Sequence, residues 1–365
     1  MTFSRRDFAR LTAAGAALAL VPAVRGAKPA APAGPVRLSA NENPYGPSPA
    51  AARALQDALA RVNRYPGAEE EALNDALAKH HAVTAAELLL GNGSSDILKL
   101  AADAYLSPQR HLVTALPTFE VPGFHATRIG AKAITIPLDA NHAHDLPRML
   151  DAAKGAGLVY ICNPNNPTAT ITPKSAMRGF LDALPPSVMV LVDEAYHHYA
   201  LSPDYESVAP LIAKYPNLIV ARTFSKIYGL AGLRCGYALA QKPIIDTLGE
   251  QQQFNVMNSL ALVAAMASLG DEEHVAIGRK RNRETRSWLT AALAKLGFAT
   301  LPSEANFVMV DLQRDAKPVI AALRERNVRA GRPFPPMPQH MRVTIGTPDE
   351  VARFVEAFAA VTSVP

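Results

Sequence analysis

Between residues 88 and 240 the chain alternates short apolar runs with longer amphipathic stretches, and this alternation restricts the fold more than any other feature. The apolar runs fall at 88–90, 111–115, 133–136, Leu158–Cys162, 188–192, 218–222 and 236–240. Runs this short, rich in Val, Ile and Leu and bounded by turn-forming residues, read as buried strands. The stretches between them, at 96–105, 147–153 and Lys174–Ala183, repeat apolar residues at helical spacing. Strands that alternate with helices are laid parallel, because each helix carries the chain back across one face of the sheet. Ligands then gather at the carboxyl ends of the strands. From residue 242 the pattern changes to long helices, predicted over 243–270 and 271–296, and then to strands at Phe307–Asp311 and 341–345. The expected fold is therefore α/β, with a mostly parallel seven-stranded sheet wrapped by helices in a large domain at 66–245. A smaller α+β domain is expected at 246–365, joined by an N-terminal arm at 34–65.

Charge places limits on partners. The formal net charge is +5, but Arg5, Arg6, Arg10 and Arg25 against Asp7 put most of that excess in the first 27 residues. Nucleic-acid binding needs a clustered basic face that releases counterions from phosphates, and no such run follows Lys28, so no nucleic-acid partner is expected. The first 33 residues have their own logic. A basic segment with paired arginines, Ser4-Arg5-Arg6-Asp7-Phe8, precedes an apolar stretch at 11–24 and a Pro/Ala linker at 28–35. This resembles a twin-arginine export signal, which predicts a folded, cofactor-loaded protein delivered to the periplasm. The apolar stretch is shorter than the ~20 residues a membrane span requires, so no stable span is expected after processing. Cys162 and Cys235 lie inside the motifs described below and read as small buried hydrophobes rather than a disulfide. No metal site is expected, because His80-His81 and His197-His198 are adjacent pairs whose side chains diverge on regular backbone.

The chemistry concentrates after the run at 218–222. There the chain reads Arg222-Thr223-Phe224-Ser225-Lys226-Ile227-Tyr228-Gly229-Leu230-Ala231-Gly232-Leu233-Arg234-Cys235-Gly236. A lysine just past a strand, set among hydroxyls with an arginine eight residues on, suits an aldehyde cofactor anchored by a phosphate. Lys226 supplies an amine for a Schiff base, while Thr223, Ser225 and Arg234 can hold a phosphate by charge-assisted hydrogen bonds. Asp193 ends another strand, where a carboxylate can pair with a protonated ring nitrogen. Gly93-Ser94-Ser95 leads from a strand into a helix, so its backbone N–H groups and the helix dipole form an anion site. Arg342 opens a strand near the C-terminus and can grip a carboxylate with a bidentate fork.

Together these motifs resemble the fold-type I aminotransferases that use pyridoxal 5'-phosphate (PLP), in particular those similar to histidinol-phosphate aminotransferase. The resemblance covers 38–347 and recurs in Asn41-Glu42-Asn43-Pro44-Tyr45, Gly91-Asn92-Gly93-Ser94-Ser95, Asn163-Pro164-Asn165-Asn166-Pro167-Thr168, Asp193-Glu194-Ala195-Tyr196 and Arg342-Val343-Thr344-Ile345-Gly346-Thr347. It implies that Asn166 and Tyr196 reach the phenolic oxygen of the cofactor and that Gly93, Ser94 and Ser95 meet its phosphate. It further implies that Phe119 stacks on the ring and that Tyr45 and Arg332 lie on the substrate side. Tyr65 would reach the phosphate of a neighbouring subunit, which implies a homodimer with shared active sites. The sequence departs from the family at Ala169, where a glycine is usual, at Ser95-Asp96, and in the Pro-rich 332–338. An ordinary surface salt bridge is the competing reading of Arg332. The expected reaction is transfer of an amino group between an amino acid, or a related amine, and a 2-oxo acid. Two alternatives stay open from sequence: a PLP-dependent decarboxylase of a phosphorylated amino acid, and a non-catalytic protein that binds PLP or an amino acid.

Overall fold

Seven strands form the central sheet in the order β2-β8-β7-β6-β5-β3-β4. They are β2 (Leu88–Gly91), β3 (Leu112–Leu116), β4 (Ala133–Pro137), β5 (Leu158–Cys162), β6 (Met189–Asp193), β7 (Leu218–Thr223) and β8 (Gly236–Leu239), and a short strand, β1 (Val36–Arg37), precedes them in the chain. The computed structural model describes residues 34–254 and 256–363, so the export signal read at 1–33 lies outside the described residues. Only β8 runs against its neighbours; β3 to β7 pair in parallel.

Side-chain alternation explains why the central strands carry almost no polar residues. Val159, Ile161, Val190, Val192 and Val220 enter the core on one face of the sheet. Leu158, Tyr160, Cys162, Leu191, Ile219 and Ala221 enter the core on the other. A strand covered on both faces has no solvent side on which to place a charge, and the polar residues appear where the strands end.

The C-terminal part builds two small sheets. β9 (Phe307–Asp311) pairs antiparallel with β11 (His340–Thr344), and β1 pairs in parallel with β10 (Val328–Arg329). Val36 and Leu38 are buried together with Val308, Val310, Met341, Val343, Phe354 and Phe358, so the N-terminal arm is part of this second core.

One predicted helix is corrected. The stretch at 243–270 is two helices, Lys242–Glu250 and Ser259–Leu269, rather than one. Residues 251–253 are three glutamines followed by Phe254, which is 92% exposed, so no buried apolar stripe continues through 251–254. Asn258 then starts a new helix by accepting the backbone N–H of Ala261 at 2.8 Å. Among the described residues no helix is long and apolar enough to cross a membrane.

Candidate active site

The carboxyl ends of β5, β6 and β7 lie level, with Cys162 opposite Asp193 and Asp193 opposite Ala221. Above them opens a cleft of about 350 Å³ whose walls include Asn41, Ser94, Ser95, Phe119, Asn166, Asp193, Tyr196, Thr223, Ser225, Lys226, Arg234, Arg332 and Arg342. Twelve of the residues singled out from sequence therefore share one cavity, although they come from segments spread over most of the chain.

Asp193 forms the floor. It is 2% exposed; one carboxylate oxygen accepts the Tyr160 hydroxyl at 3.0 Å and the other accepts the Ala195 N–H at 3.0 Å. Burial pushes its pKa up to about 6, against the pull of those two hydrogen bonds. Lys226 stands three residues past β7, with Nζ donating to the Asn41 carbonyl at 3.1 Å. Burial, reinforced by the charge of Arg342, brings its pKa down to about 8, so roughly a tenth of the amine is neutral at pH 7, far more than for an ordinary lysine. A neutral amine can take up a proton; a fully charged one cannot.

The anion cradle lies at one end of the cleft. Gly93 has φ 84, and a side chain there would collide with the guanidinium of Arg234. The glycine thus lets the arginine close over the turn that leads into helix Ser94–Tyr105, whose first N–H groups have no partner within the helix. Arg234 itself sits at φ 62, an uncommon conformation for an arginine, and reaches Ser225 Oγ at 3.3 Å. Thr223 Oγ1 lies 2.8 Å from Ser225 Oγ and accepts the Ser225 N–H at 3.0 Å, which fixes the hydroxyls toward the same place. Several donors around an Arg-lined turn fit a phosphate dianion, and the buried carboxylate and amine fit the ring nitrogen and aldehyde of PLP.

Arg342 closes the opposite wall. Its guanidinium donates to Asn166 Oδ1 at 2.6 Å and to the Ser39 carbonyl at 2.7 Å, while its buried Nε has no partner. Burial lowers its pKa, and nearby Arg332 adds to that effect. A buried guanidinium bonded only to neutral groups has no counter-ion beside it, which leaves its charge available to a ligand. Tyr196 is buried under the same wall, and its hydroxyl accepts from Asn41 Nδ2 at 3.0 Å.

Tyr45, expected on the substrate side, is elsewhere in the single chain, and Tyr65, expected to serve a neighbouring subunit, lies outside this chain's own cleft. Tyr45 lines a separate depression with Arg281, Thr285 and Trp288, and the Arg281 guanidinium lies 4.6 Å over its ring. Asn43 donates to the Ile227 carbonyl and caps the Tyr45 N–H, and Tyr45 lies against helix Glu272–Lys295. Tyr65 is 83% exposed and lines no part of the cleft. Arg332 lines the cleft and is also held in an ion pair with Glu120.

Sequence reasoning gave no role to Tyr160 or to Asn41. Tyr160 lies two residues before Cys162 on β5, so strand alternation directs both to the face that Asp193 shares, and that spacing could have identified it. Asn41 has φ 54, a conformation asparagine adopts more readily than most residues, and links Tyr196, Thr344 and Lys226. Ala169, where the family has glycine, takes φ 65 with its methyl fully buried. Its N–H and carbonyl bonds to Asn165 and Glu304, both 2.8 Å, hold it there.

The model of the family described as aminotransferase class I and II matches residues 33–358. The chain is 42% identical over 328 residues to a histidinol-phosphate aminotransferase of Symbiobacterium thermophilum, covering 89% of this chain and 90% of that protein. It is 44% identical over 334 residues to histidinol-phosphate aminotransferase 2 of Pseudomonas fluorescens, covering 90% of each. Among solved structures, histidinol-phosphate aminotransferase from Sinorhizobium meliloti in complex with PLP superposes with a TM-score of 0.86 at 28% identity, covering 90% of both chains. The match spans the cleft and both cores, so this chain belongs to the aminotransferase class I and II family and is a PLP-dependent aminotransferase.

Proposed function

We propose that the cleft moves an amino group from an amino acid or related amine to a 2-oxo acid, with Lys226 as the group that binds the cofactor and carries the proton. The observation that carries this reading is the convergence of a partly neutral amine, a buried carboxylate and a buried arginine without a counter-ion in one cavity. PLP, when bound, supplies an aldehyde that condenses with amines and a ring that accepts electron density from the carbon losing its proton. Asp193 is assigned to the ring nitrogen, where its negative charge keeps that nitrogen protonated. Arg234, Thr223, Ser225 and the Gly93-Ser94-Ser95 turn take the phosphate, Phe119 the ring face, and Tyr196 with Asn166 the phenolic oxygen. Arg342 holds the substrate carboxylate, adding charge-assisted bonds to those it already makes. Lys226 receives the α-proton of the donor and returns it, a role for which its lowered pKa suits it.

The reading is tested with a panel of amino donors. Each productive donor should release one equivalent of its 2-oxo acid from the holoenzyme, and Lys226→Ala should slow this step by at least ~100-fold. Carbon dioxide as the product, or an unchanged rate in Lys226→Ala, would overturn it.

Two further parts of the reading concern the assembly and its location. A homodimer is proposed, with Tyr65 reaching the cofactor phosphate of the second subunit; the strong exposure of Tyr65 in the single chain leaves its ring free to do so. Sedimentation of the holoenzyme checks this, and a monomer at micromolar concentration would refute it. Export through the twin-arginine route is proposed from Arg5-Arg6, and Arg5→Lys with Arg6→Lys should retain the protein in the cytoplasm.

A further inference from the structure

Asn41 ties the N-terminal arm to both Tyr196 and the C-terminal sheet, and the direction of each bond is fixed. Its backbone N–H donates to Thr344 Oγ1 on β11 at 2.9 Å, and the Thr344 hydroxyl gives its one proton to Asn41 Oδ1 at 3.1 Å. With Oδ1 turned to Thr344, Nδ2 is left to donate to the Tyr196 hydroxyl at 3.0 Å. Inverting the amide would take this acceptor from the Thr344 proton, which is buried at 2% exposure, and an unpaired buried donor is costly. Asn306, just before β9, donates to the Asn41 carbonyl at 3.0 Å and pins the backbone at φ 54.

Tyr196 therefore accepts on its oxygen and keeps its own proton to give. Among the described residues nothing accepts that proton, and Tyr196 lines the cleft. Burial raises its pKa, so the hydroxyl stays protonated through the neutral range. We propose that Asn41 is a positioning residue: held by Thr344, its amide aims the Tyr196 proton at the phenolic oxygen of PLP. The proposal rests on the assignment of Tyr196 to that oxygen. A phenolate beside the Schiff-base nitrogen stabilises the proton there. A hydrogen bond from Tyr196 draws off part of that charge, so the Schiff-base proton leaves at lower pH.

The test is a pH titration of the visible absorbance of the resting holoenzyme. Asn41→Gly removes the amide while keeping the backbone groups and tolerating φ 54. Its titration midpoint should rise by about 0.5 to 1 pH unit, the size that loss of one neutral hydrogen bond implies. Made in a Tyr196→Phe background, the same substitution should move the midpoint by less than a third of that shift. A merely structural role would weaken PLP binding or folding and leave the midpoint in place. An unmoved or lowered midpoint in Asn41→Gly overturns the proposal, as does a full shift in the Tyr196→Phe background. If Asn41→Gly does not fold, Thr344→Val carries the test: with the amide no longer held, the midpoint should rise in the same direction, and no rise overturns the proposal. Tyr196→Phe alone separates the two readings. If it leaves the midpoint in place, the Tyr196 assignment fails and the proposal with it; if it raises the midpoint and Asn41→Gly does not, the failure belongs to Asn41 alone.

Discussion

Two arginine–glutamate pairs flank the cleft, and they do opposite things with the same chemistry. Arg222 on β7 bonds Glu194 at 2.8 and 3.0 Å from beneath the sheet ends, and the two side chains are 7% and 1% exposed. Glu194 also accepts from Ser207 Oγ and the Val208 N–H, so the carboxylate is fully satisfied. Burial alone would weaken the charge of Arg222, but the carboxylate beside it more than compensates and its pKa is raised. The same cation drives its neighbours the other way. Burial first, and Arg222 second, hold His81 down to about 3 and push His197 and His198 well below their usual range, so these rings stay neutral. Arg332–Glu120, by contrast, is open to water and ties together two loops at the mouth. The inner pair fixes the residue next to Asp193 and cannot be exchanged for a ligand. The outer pair costs little to separate, and separation is what a substrate-facing element needs.

The largest expected effect breaks the inner pair. Arg222→Met leaves Glu194 charged and buried without its partner, and should lower unfolding free energy by about 3–5 kcal/mol in urea titrations. Replacing both partners with apolar residues should restore much of the loss; no restoration would mean that the pair contributes more than mutual compensation.

A second variant tests how the inner wall sets the carboxylate at the floor. Tyr160→Phe removes the hydroxyl that donates to Asp193, leaving burial less opposed. Asp193 should then ionise at a higher pH, and the acid limb of kcat/KM should move upward by about one pH unit, as loss of one hydrogen bond to a charged group implies. An unmoved profile would make the contact structural only.

The amine gives a pH signature of its own. Lys226 titrates near an ordinary 10.5 when unfolded and at about 8 in the folded chain, so the folded chain binds its proton less well. The sign follows from linkage: the contribution of Lys226 to the stability of the cofactor-free chain should rise between about pH 8 and 10.5, while the buried thiols of Cys162 and Cys235, whose pKa values burial raises, contribute in the opposite sense above about pH 9. Lys226→Met should remove the rising contribution, read as the difference between wild-type and variant urea midpoints across the window; a difference that stays constant with pH would refute it.

The smallest effect belongs to the outer pair. Glu120→Gln should change unfolding free energy by less than about 1 kcal/mol, since both side chains are already solvated. A loss comparable to that of Arg222→Met would erase the distinction between the two pairs.

Much of this molecule could be read from the chain. All seven strands of the large sheet were legible, the central ones because strands covered on both faces become nearly unbroken apolar runs. At Asp271 and Asp145 a cap marks the helix start and the boundary was read to within a residue or two, whereas the cap at Asn258 was missed. The break at 251–258 was missed because a local period cannot report where the chain leaves a helical path, even where, as at Met257, it still packs into the core. Tyr45 was misplaced within one chain because its surroundings are set by contacts far along the sequence, Asn43 with Ile227 and its own ring with Arg281.

The sequence by itself determined the cofactor chemistry: a lysine and an aspartate at strand ends, a glycine turn before a helix, and an arginine eight residues past the lysine. These are local patterns, and the sheet brings them together without further instruction. Only the tertiary structure decided which charges are compensated. Whether an arginine meets a glutamate 212 residues away, as Arg332 does, or is left with neutral partners, as Arg342 is, depends on how loops from distant segments close over the cleft. Coulomb energy depends on distance and local dielectric, and neither is written in residue order.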